Sequence, residues 1–302
     1  MKTNVDVLCV GHASYDLVFA VDHHPDADEK TFAEKLISCG GGPAANAAVT
    51  VSRLGLKSAF AGYLGNDFFG QRHLEEFSQA AVNTDLIVRG DSATPLSAIL
   101  VKPDGRRTVV NYKGATPPLP ADSIDLARWH PRVILFDGHE PEVSLALMKA
   151  IKGRGISTVL DAGSVHRGTL KLLERVDYTV ASQKFARECT GKEDPQQAAL
   201  KLGQLGSAVV ITLGEAGLVW KSEDGSGALP AFSIDAVDTT GAGDAVHGAF
   251  AAGLAYGKRW QDLLTYAGAV GALCCTQYGA RPAIPTAKDL FEFLKKHQKS
   301  KN

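Results

Sequence analysis

The sequence predicts an α/β fold: a doubly wound, mostly parallel sheet flanked by helices, with a small second β-sheet. Three observations carry this. From residue 133 onward, short apolar runs alternate with helical segments, the beat of consecutive β-α-β units. The first apolar run, residues 5–10, is continuously apolar over Val7–Val10, the pattern of a strand buried on both faces. The early extended segments do not alternate with helices, which sets apart two pieces, about 14–38 and 93–114, as a small antiparallel sheet.

In chain order, the strand at 5–10 ends at Gly11, and extended segments at 16–20 and 31–38 flank a polar turn at 22–29. Pro43 at a first helical turn and Gly55 past the end punctuate a helix over 44–54. A strand at 58–64 and a helix at 70–80 follow. Strands at 97–101 and 107–112 are joined by Pro103-Asp104-Gly105, a hairpin signal. Then come strand 133–136, helix 141–152, strand 157–160, short helix 168–173, strand 178–181, helix 195–205, strands 208–212 and 217–220, and helices 243–256, 260–276 and 287–297. We expect one domain over 1–302, with 14–38 and 93–114 forming a lid.

The 302 residues carry Lys+Arg 32 against Asp+Glu 33, a net charge of −1. That balance supplies no general pull toward nucleic acid or anionic lipid. Apolar stretches are broken well short of the roughly 18 residues a membrane span needs. The basic run Lys295–Lys301 is expected to be a frayed, solvated terminus. Five cysteines with no CxxC pair argue against a disulfide framework or zinc site and for a reducing cytoplasm. Cys39 is expected to be buried filler.

Two glycine-rich turns carry the chemistry. In Cys39-Gly40-Gly41-Gly42-Pro43-Ala44-Ala45-Asn46, three glycines clear side chains from where a ligand would approach the backbone, and Asn46 falls about one turn into the helix. A dinucleotide fingerprint is rejected, because it should follow the first strand, which ends at Gly11. The second turn, Asp238-Thr239-Thr240-Gly241-Ala242-Gly243-Asp244, opens a helix. Small residues there let backbone N–H groups converge at a helix N-terminus, an anion hole for a phosphate. Asp244 beside it either caps the helix or takes a proton from a hydroxyl. No Walker A sequence and no protein-kinase Asp-Phe-Gly or His-Arg-Asp triplet is present.

Together, residues 40–55 and 238–254 resemble the two signature segments of the PfkB (ribokinase-like) family of carbohydrate kinases, in the right order and at the right distance. Gly279-Ala280-Arg281-Pro282-Ala283-Ile284-Pro285 resembles its closing segment, and Ile211-Thr212-Leu213-Gly214-Glu215-Ala216-Gly217 its strand and turn near the nucleotide. The resemblance covers nearly the whole chain. It implies a ribokinase-like fold and ATP-dependent transfer of the γ-phosphoryl group to a sugar hydroxyl. Asp244 would be the base and Gly241, Ala242 and Gly243 the anion hole. Asp16, Gly41, Gly42 and Asn46 would hold the sugar. Ser182, Thr212, Gly214 and Gly217, with Gly241 and Gly243, would border the nucleotide. ATP and Mg²⁺ are implied cofactors, and a monovalent cation such as K⁺ would sit near 235–237 and 280–284. A homodimer through the lid is implied. No protein metal ligand is expected, and the family's Asn-x-x-Glu stretch reads Ser182-Gln183-Lys184-Phe185 here.

For the acceptor, the resemblance points to a ketose and within that branch to 6-deoxy-6-sulfofructose, with Lys30, Asn111 and His139 as candidate contacts. His139 stands where that branch carries an Arg, and a neutral imidazole is a weaker anion clamp. A ribokinase or nucleoside kinase, and a silent sugar-binding regulator, stay open as alternatives. His247 is expected to pack within its helix, and no metal-ligating histidine cluster is expected.

Overall fold

A computed structural model describes residues 4–299. The chain runs β1 (Val7–Val10), β2 (Ser14–Ala20), β3 (Lys35–Gly41), α1 (Pro43–Arg53), β4 (Ser58–Gly65), α2 (Phe68–Gln79), β5 (Asn83–Gly90), β6 (Leu96–Val101) and β7 (Arg107–Tyr112). It continues β8 (Val133–Phe136), α3 (Pro141–Ala150), β9 (Ser157–Ala162), α4 (Arg167–Leu173), β10 (Tyr178–Ser182), α5 (Gln183–Thr190), α6 (Pro195–Gly203), β11 (Ala208–Thr212), β12 (Leu218–Ser222) and β13 (Gly225–Leu229). It closes with α7 (Ala242–Ala255), α8 (Trp260–Cys274), α9 (Ala280–Ala283) and α10 (Ala287–Lys299).

Nine strands form the main sheet in the order β13-β12-β11-β10-β9-β8-β1-β4-β5, parallel except for β12 and β13. Strand alternation splits the core. Val7 and Cys9 face one apolar layer with α1, α7 and α8, while Leu8 and Val10 face the other with α3 to α6. A separate four-stranded sheet, β3-β2-β6-β7, is built from the two early pieces. It has its own small cluster of Val18, Ile99 and Val101.

Several boundaries differ from expectation. The strand expected to stop at residue 38 runs on to Gly41. Gly40 and Gly41 are ladder residues opposite Tyr15 and Ser14, and only Gly42 turns. β5, α5 and β13 were not expected. The basic tail does not fray at 295 but continues α10 to Lys299, and Ser300 and Lys301 lie outside the described residues. Among the described residues, no helix is long and apolar enough to cross a membrane.

One packing contact positions the site. α1 is rich in Ala and α7 in Ala and Gly, and they lie against each other, buried along most of their length. A Cβ on Gly248 would stand 2.7 Å from the Ala47 carbonyl oxygen and 2.8 Å from Thr50 Cβ. Only glycine lets the helices approach this closely, as neither backbone has room to yield. We expect Gly248→Val to destabilise the fold by about 2 kcal/mol or more, read by urea unfolding. A loss under about 0.5 kcal/mol would mean that the helix pair tolerates separation.

Candidate active site

The main sheet changes direction between β1 and β8: crossovers run from β1 toward β4 and β5, and from β8 toward β9 to β11. Open α/β sheets hold ligands at this point, outside the carboxyl ends of the strands. Asp137, just past β8, organises it. Its Oδ2 accepts from His12 N at 2.7 Å and Ala44 N at 3.1 Å, and its Oδ1 from His139 N at 2.9 Å. One buried carboxylate thus ties the end of β1, the loop after β8 and the first turn of α1. Three imidazoles line the same edge. The rings of His12 and His139 lie 5.0 Å apart and those of His139 and His166 4.6 Å apart, the latter pair stacked. Burial, then the charges of His139 and Lys113, holds His12 down to about 3. Burial also lowers His166. These two rings are neutral near pH 7.

Asp16 projects from β2 opposite Cys39 of β3 and is buried. Ser14 Oγ donates to its Oδ1 at 2.9 Å. Burial raises the Asp16 carboxyl above its usual range, against hydrogen bonds from Ser14 and Ser97 and the charge of Arg281. A Cβ on Gly41 would lie 2.1 Å from Asp16 Oδ2, so the bare strand makes room for this carboxylate. Gly42 turns with φ 95°, and a Cβ there would strike the His12 carbonyl oxygen at 2.5 Å. Behind the glycines, Gly40 N donates to Glu76 Oε2 at 2.8 Å, and Arg281 Nη1 reaches the same oxygen at 3.2 Å. Cys39 is buried, and burial followed by the Asp16 charge pushes its thiol up to about 12, which removes it as a nucleophile.

The N-termini of α1 and α7 meet here. Asn46 Nδ2 donates to Asp244 Oδ2 at 2.8 Å. Gly241 starts α7 in a left-handed conformation, φ 74°, and a Cβ on it would lie 2.4 Å from Ala280 Cβ. Asp238 braces the loop: its Oδ1 accepts from Thr240 N at 2.8 Å and its Oδ2 from Gly279 N at 2.8 Å. This brace and the Val237 N to Cys275 O bond of 2.8 Å bring 235–237 beside the 279–283 segment. Ala242 N already donates to the Thr239 carbonyl at 3.3 Å, whereas Gly243 is exposed at the helix start. The β6–β7 hairpin rests on the loop. Thr239 Oγ1 donates to Gly105 O at 3.1 Å, and Arg107 Nη1 donates to Thr239 Oγ1 at 2.7 Å.

Asp244 is half-buried, and desolvation followed by the Asp161 charge pushes its carboxyl up to about 7, against the Asn46 hydrogen bond and the His247 charge. Asp161, at the end of β9, and His247, one turn along α7, were not expected as a unit. His247 Nδ1 lies 3.0 Å from Asp161 Oδ2. His247 therefore does more than pack within its helix. The missed signal was the carboxylate of Asp161 at the end of a parallel strand, a position facing the site in such sheets. Asp161, Asp244 and His247 offer ligand atoms within 4.8 Å of one another, the one such trio among the described residues. Their donor set does not fit resident Mg²⁺, which takes oxygen ligands in octahedral geometry, because an imidazole occupies one side.

The other expected residues fall in two groups. Ser182 ends β10, its Oγ donating to Gly163 O at 2.8 Å and accepting from Phe185 N at 3.0 Å. Thr212 ends β11, and Gly214 and Gly217 flank a 3₁₀ turn just after it. All four lie at the same carboxyl edge of the sheet. Lys30 and Asn111 make no hydrogen bond to the cluster. Both are exposed in the smaller-sheet region, and among the described residues none links either to Asp16, Asn46 or Asp244. Asn111 pairs across the ladder with Ser97, which in turn pairs with Asp16, so the register puts Asn111 on the same face of the smaller sheet as that carboxylate.

The chain matches the pfkB family carbohydrate kinase over residues 4–287. It belongs to that family. This carbohydrate kinase is 28% identical over 295 residues to a ribokinase of Lactococcus lactis, spanning 96% of this chain and 97% of the relative. It is 28% identical over 312 residues to fructokinase-2 of Oryza sativa, spanning 91% of each. A ribokinase structure from Thermotoga maritima superposes with a TM-score of 0.84 at 27% identity, covering 96% of this chain and 99% of that one.

Because Asp137 satisfies three backbone N–H groups from three segments, its loss leaves buried donors unpaired. We expect Asp137→Ala to cost about 3 kcal/mol in urea unfolding at pH 7. A cost below about 1 kcal/mol would show that water replaces the carboxylate freely.

Proposed function

We propose that this sugar kinase phosphorylates a ketose-type sugar from ATP, with Asp244 as the general base. The observation that carries the reading is the Asn46–Asp244 contact of 2.8 Å, which fixes a half-buried carboxylate in the first turn of α7. The sugar lies between Asp16, Asn46 and the Gly41–Gly42 backbone, with His139 at its far side. ATP lies over the ends of β10 and β11, at Ser182, Thr212, Gly214 and Gly217. Asp244 takes the proton of the attacking hydroxyl. The sugar oxygen bonds to the γ-phosphorus as the bond to the bridging oxygen breaks, releasing ADP. The Gly241–Gly243 backbone at the helix N-terminus binds the charge on the transferred group. Mg²⁺ supplies charge neutralisation on the phosphates. As the chain offers it no fitting cage, it enters on the nucleotide. The five cysteines are free thiols, in keeping with a cytoplasmic location.

The neutral rings at His12 and His166 favour hydroxyls over a sulfonate. Among ketoses, fructose and tagatose are therefore expected ahead of sulfofructose. Ribose is the second reading, supported by the ribokinases among the relatives. ADP release with Mg-ATP across fructose, tagatose, ribose, sulfofructose and adenosine tests it. Strong turnover on a ketohexose supports the proposal, whereas turnover confined to ribose or adenosine contradicts it. Asp244→Asn should retain ATP binding and lose turnover by roughly 10³-fold or more. Near-normal turnover in that variant would remove Asp244 from the mechanism.

A second copy of the chain is proposed to cover the outer face of the smaller sheet. Strand register puts Leu36, Val110 and Tyr112 on the face opposite Val18 and Ile99, and they are 60%, 63% and 60% exposed. Contiguous apolar surface of this kind marks an interface. Sedimentation should give a dimer, and Val110→Lys should shift it to monomer. A wild-type monomer at about 50 μM would refute the interface.

A further inference from the structure

Asp161 and His247 lie beneath the base, and among the described residues no hydrogen bond links either to the glycine loop or to Asp16. The hydrogen-bonding inventory of the imidazole decides their state. His247 Nε2 lies 3.0 Å from the Val180 carbonyl oxygen, which can only accept, so Nε2 carries a proton. Nδ1 lies 3.0 Å from Asp161 Oδ2. Asp161 Oδ1 accepts from Gly163 N at 3.0 Å, while Oδ2 and Nδ1, both buried, have only each other as an ion-pair contact and no aligned hydrogen bond. One proton must lie between Oδ2 and Nδ1, and the paired carboxylates of Asp161 and Asp244 favour it on Nδ1. The ring is then an imidazolium, nine-tenths or more buried and bridging a carbonyl and a carboxylate. Its edge lies under the anion loop: a Cβ on Gly243 would stand 3.9 Å from His247 Cε1.

Resting on the reading of Asp244 as base, we propose that Asp161 and His247 are positioning residues, a buried carboxylate–imidazolium couple that keeps Asp244 ionised beside the anion loop. Without the cation, Asp244 and Asp161 would be two carboxylates sharing one dry site, and one of them would retain a proton. With it, the couple is neutral as a unit, and Asp244 carries the site's remaining negative charge. Burial opposes a charged His247, but the carboxylates of Asp161 and Asp244 together outweigh it and raise its proton affinity. Of the other titratable groups facing this trio, none adds a positive charge near pH 7: His166, which faces Asp161, is kept neutral there by burial. Asp16 from β2 adds a like charge, and burial keeps the Cys274 thiol of α8 protonated. Asn46 from α1 is uncharged and donates to Asp244. His247 is therefore the cation that balances the site.

The sign follows directly. Asp244 acts as base only when ionised, so kcat/KM rises with pH through its proton affinity. Removing the cation raises that affinity and moves the acid limb upward. Removing both members of the couple takes away one charge of each sign and restores it. We expect His247→Asn to move the acid limb of kcat/KM up by about one pH unit or more, with KM for ATP little changed. Turnover lost at pH 7 should return by about pH 9. Asp161→Asn/His247→Asn should bring the limb back to within about half a unit of the parent.

A purely structural role gives defects that add in the double variant and do not recover with pH. That outcome, or an unmoved limb in His247→Asn, overturns the proposal. An inactive Asp244→Asn beside an unmoved limb would fail this inference alone, whereas an active Asp244→Asn would fail the base reading itself. A readout independent of the variants' folding is the imidazole ¹⁵N shift of His247 in the parent enzyme. Both ring nitrogens should carry protons at pH 8, and a neutral ring at that pH refutes the couple.

Discussion

The close approach of α1 and α7 is the constraint on which the site depends. Two Ala-rich helices pack with the Gly248 backbone of α7 against the Ala47 carbonyl of α1. Only at that distance does Asn46 of α1 reach Asp244 of α7. Larger side chains would separate the helices and with them the two N-termini, whose dipoles both favour anions at the cleft. The Ala-rich composition of both segments is thus a statement about distance. It trades apolar burial per residue for backbone proximity where the chemistry lies.

A second theme is the management of buried carboxylates. Asp16, Asp137, Asp161 and Asp238 are buried, and Asp244 is half-buried. Each is stabilised differently. Asp137 and Asp238 accept backbone N–H groups and so act as struts between segments. Asp161 faces an imidazole. Asp244 has one amide hydrogen bond and lies in a helix first turn. The struts have their oxygens filled, whereas burial raises the carboxyls of Asp16 and Asp244 above their usual range. Carboxylates left in that condition are suited to binding hydroxyls and accepting protons.

The glycine loop and Asp244 were legible in the sequence because their chemistry is local: small residues, a helix start and a carboxylate lie within seven consecutive positions. The sheet was legible wherever strands are continuously apolar, as in β1 and β8. β5 begins with Asn-Thr-Asp and β13 reads Gly-Ser-Gly-Ala-Leu, so neither carries a clear apolar strand signal, and α5 is only eight residues with few apolar positions, too short for its one buried face to stand out. β3 ran past its expected end because its glycines pair with β2, a long-range contact. Asp137, Asp161, His247 and Arg281 work through partners 86 to 208 positions away or in other elements, which no local pattern encodes. Lys30 and Asn111 were carried by resemblance alone; both are exposed, and the register sets Asn111 in the cross-strand row of Asp16.

The most direct measurement is a crystal structure with a ketohexose and a non-hydrolysable ATP analogue bound together. The account predicts one sugar hydroxyl within about 3 Å of an Asp244 carboxylate oxygen, with the γ-phosphoryl group at the N-terminus of α7. A sugar hydroxyl directed to any other base, or a γ-phosphate away from Gly241–Gly243, would contradict it.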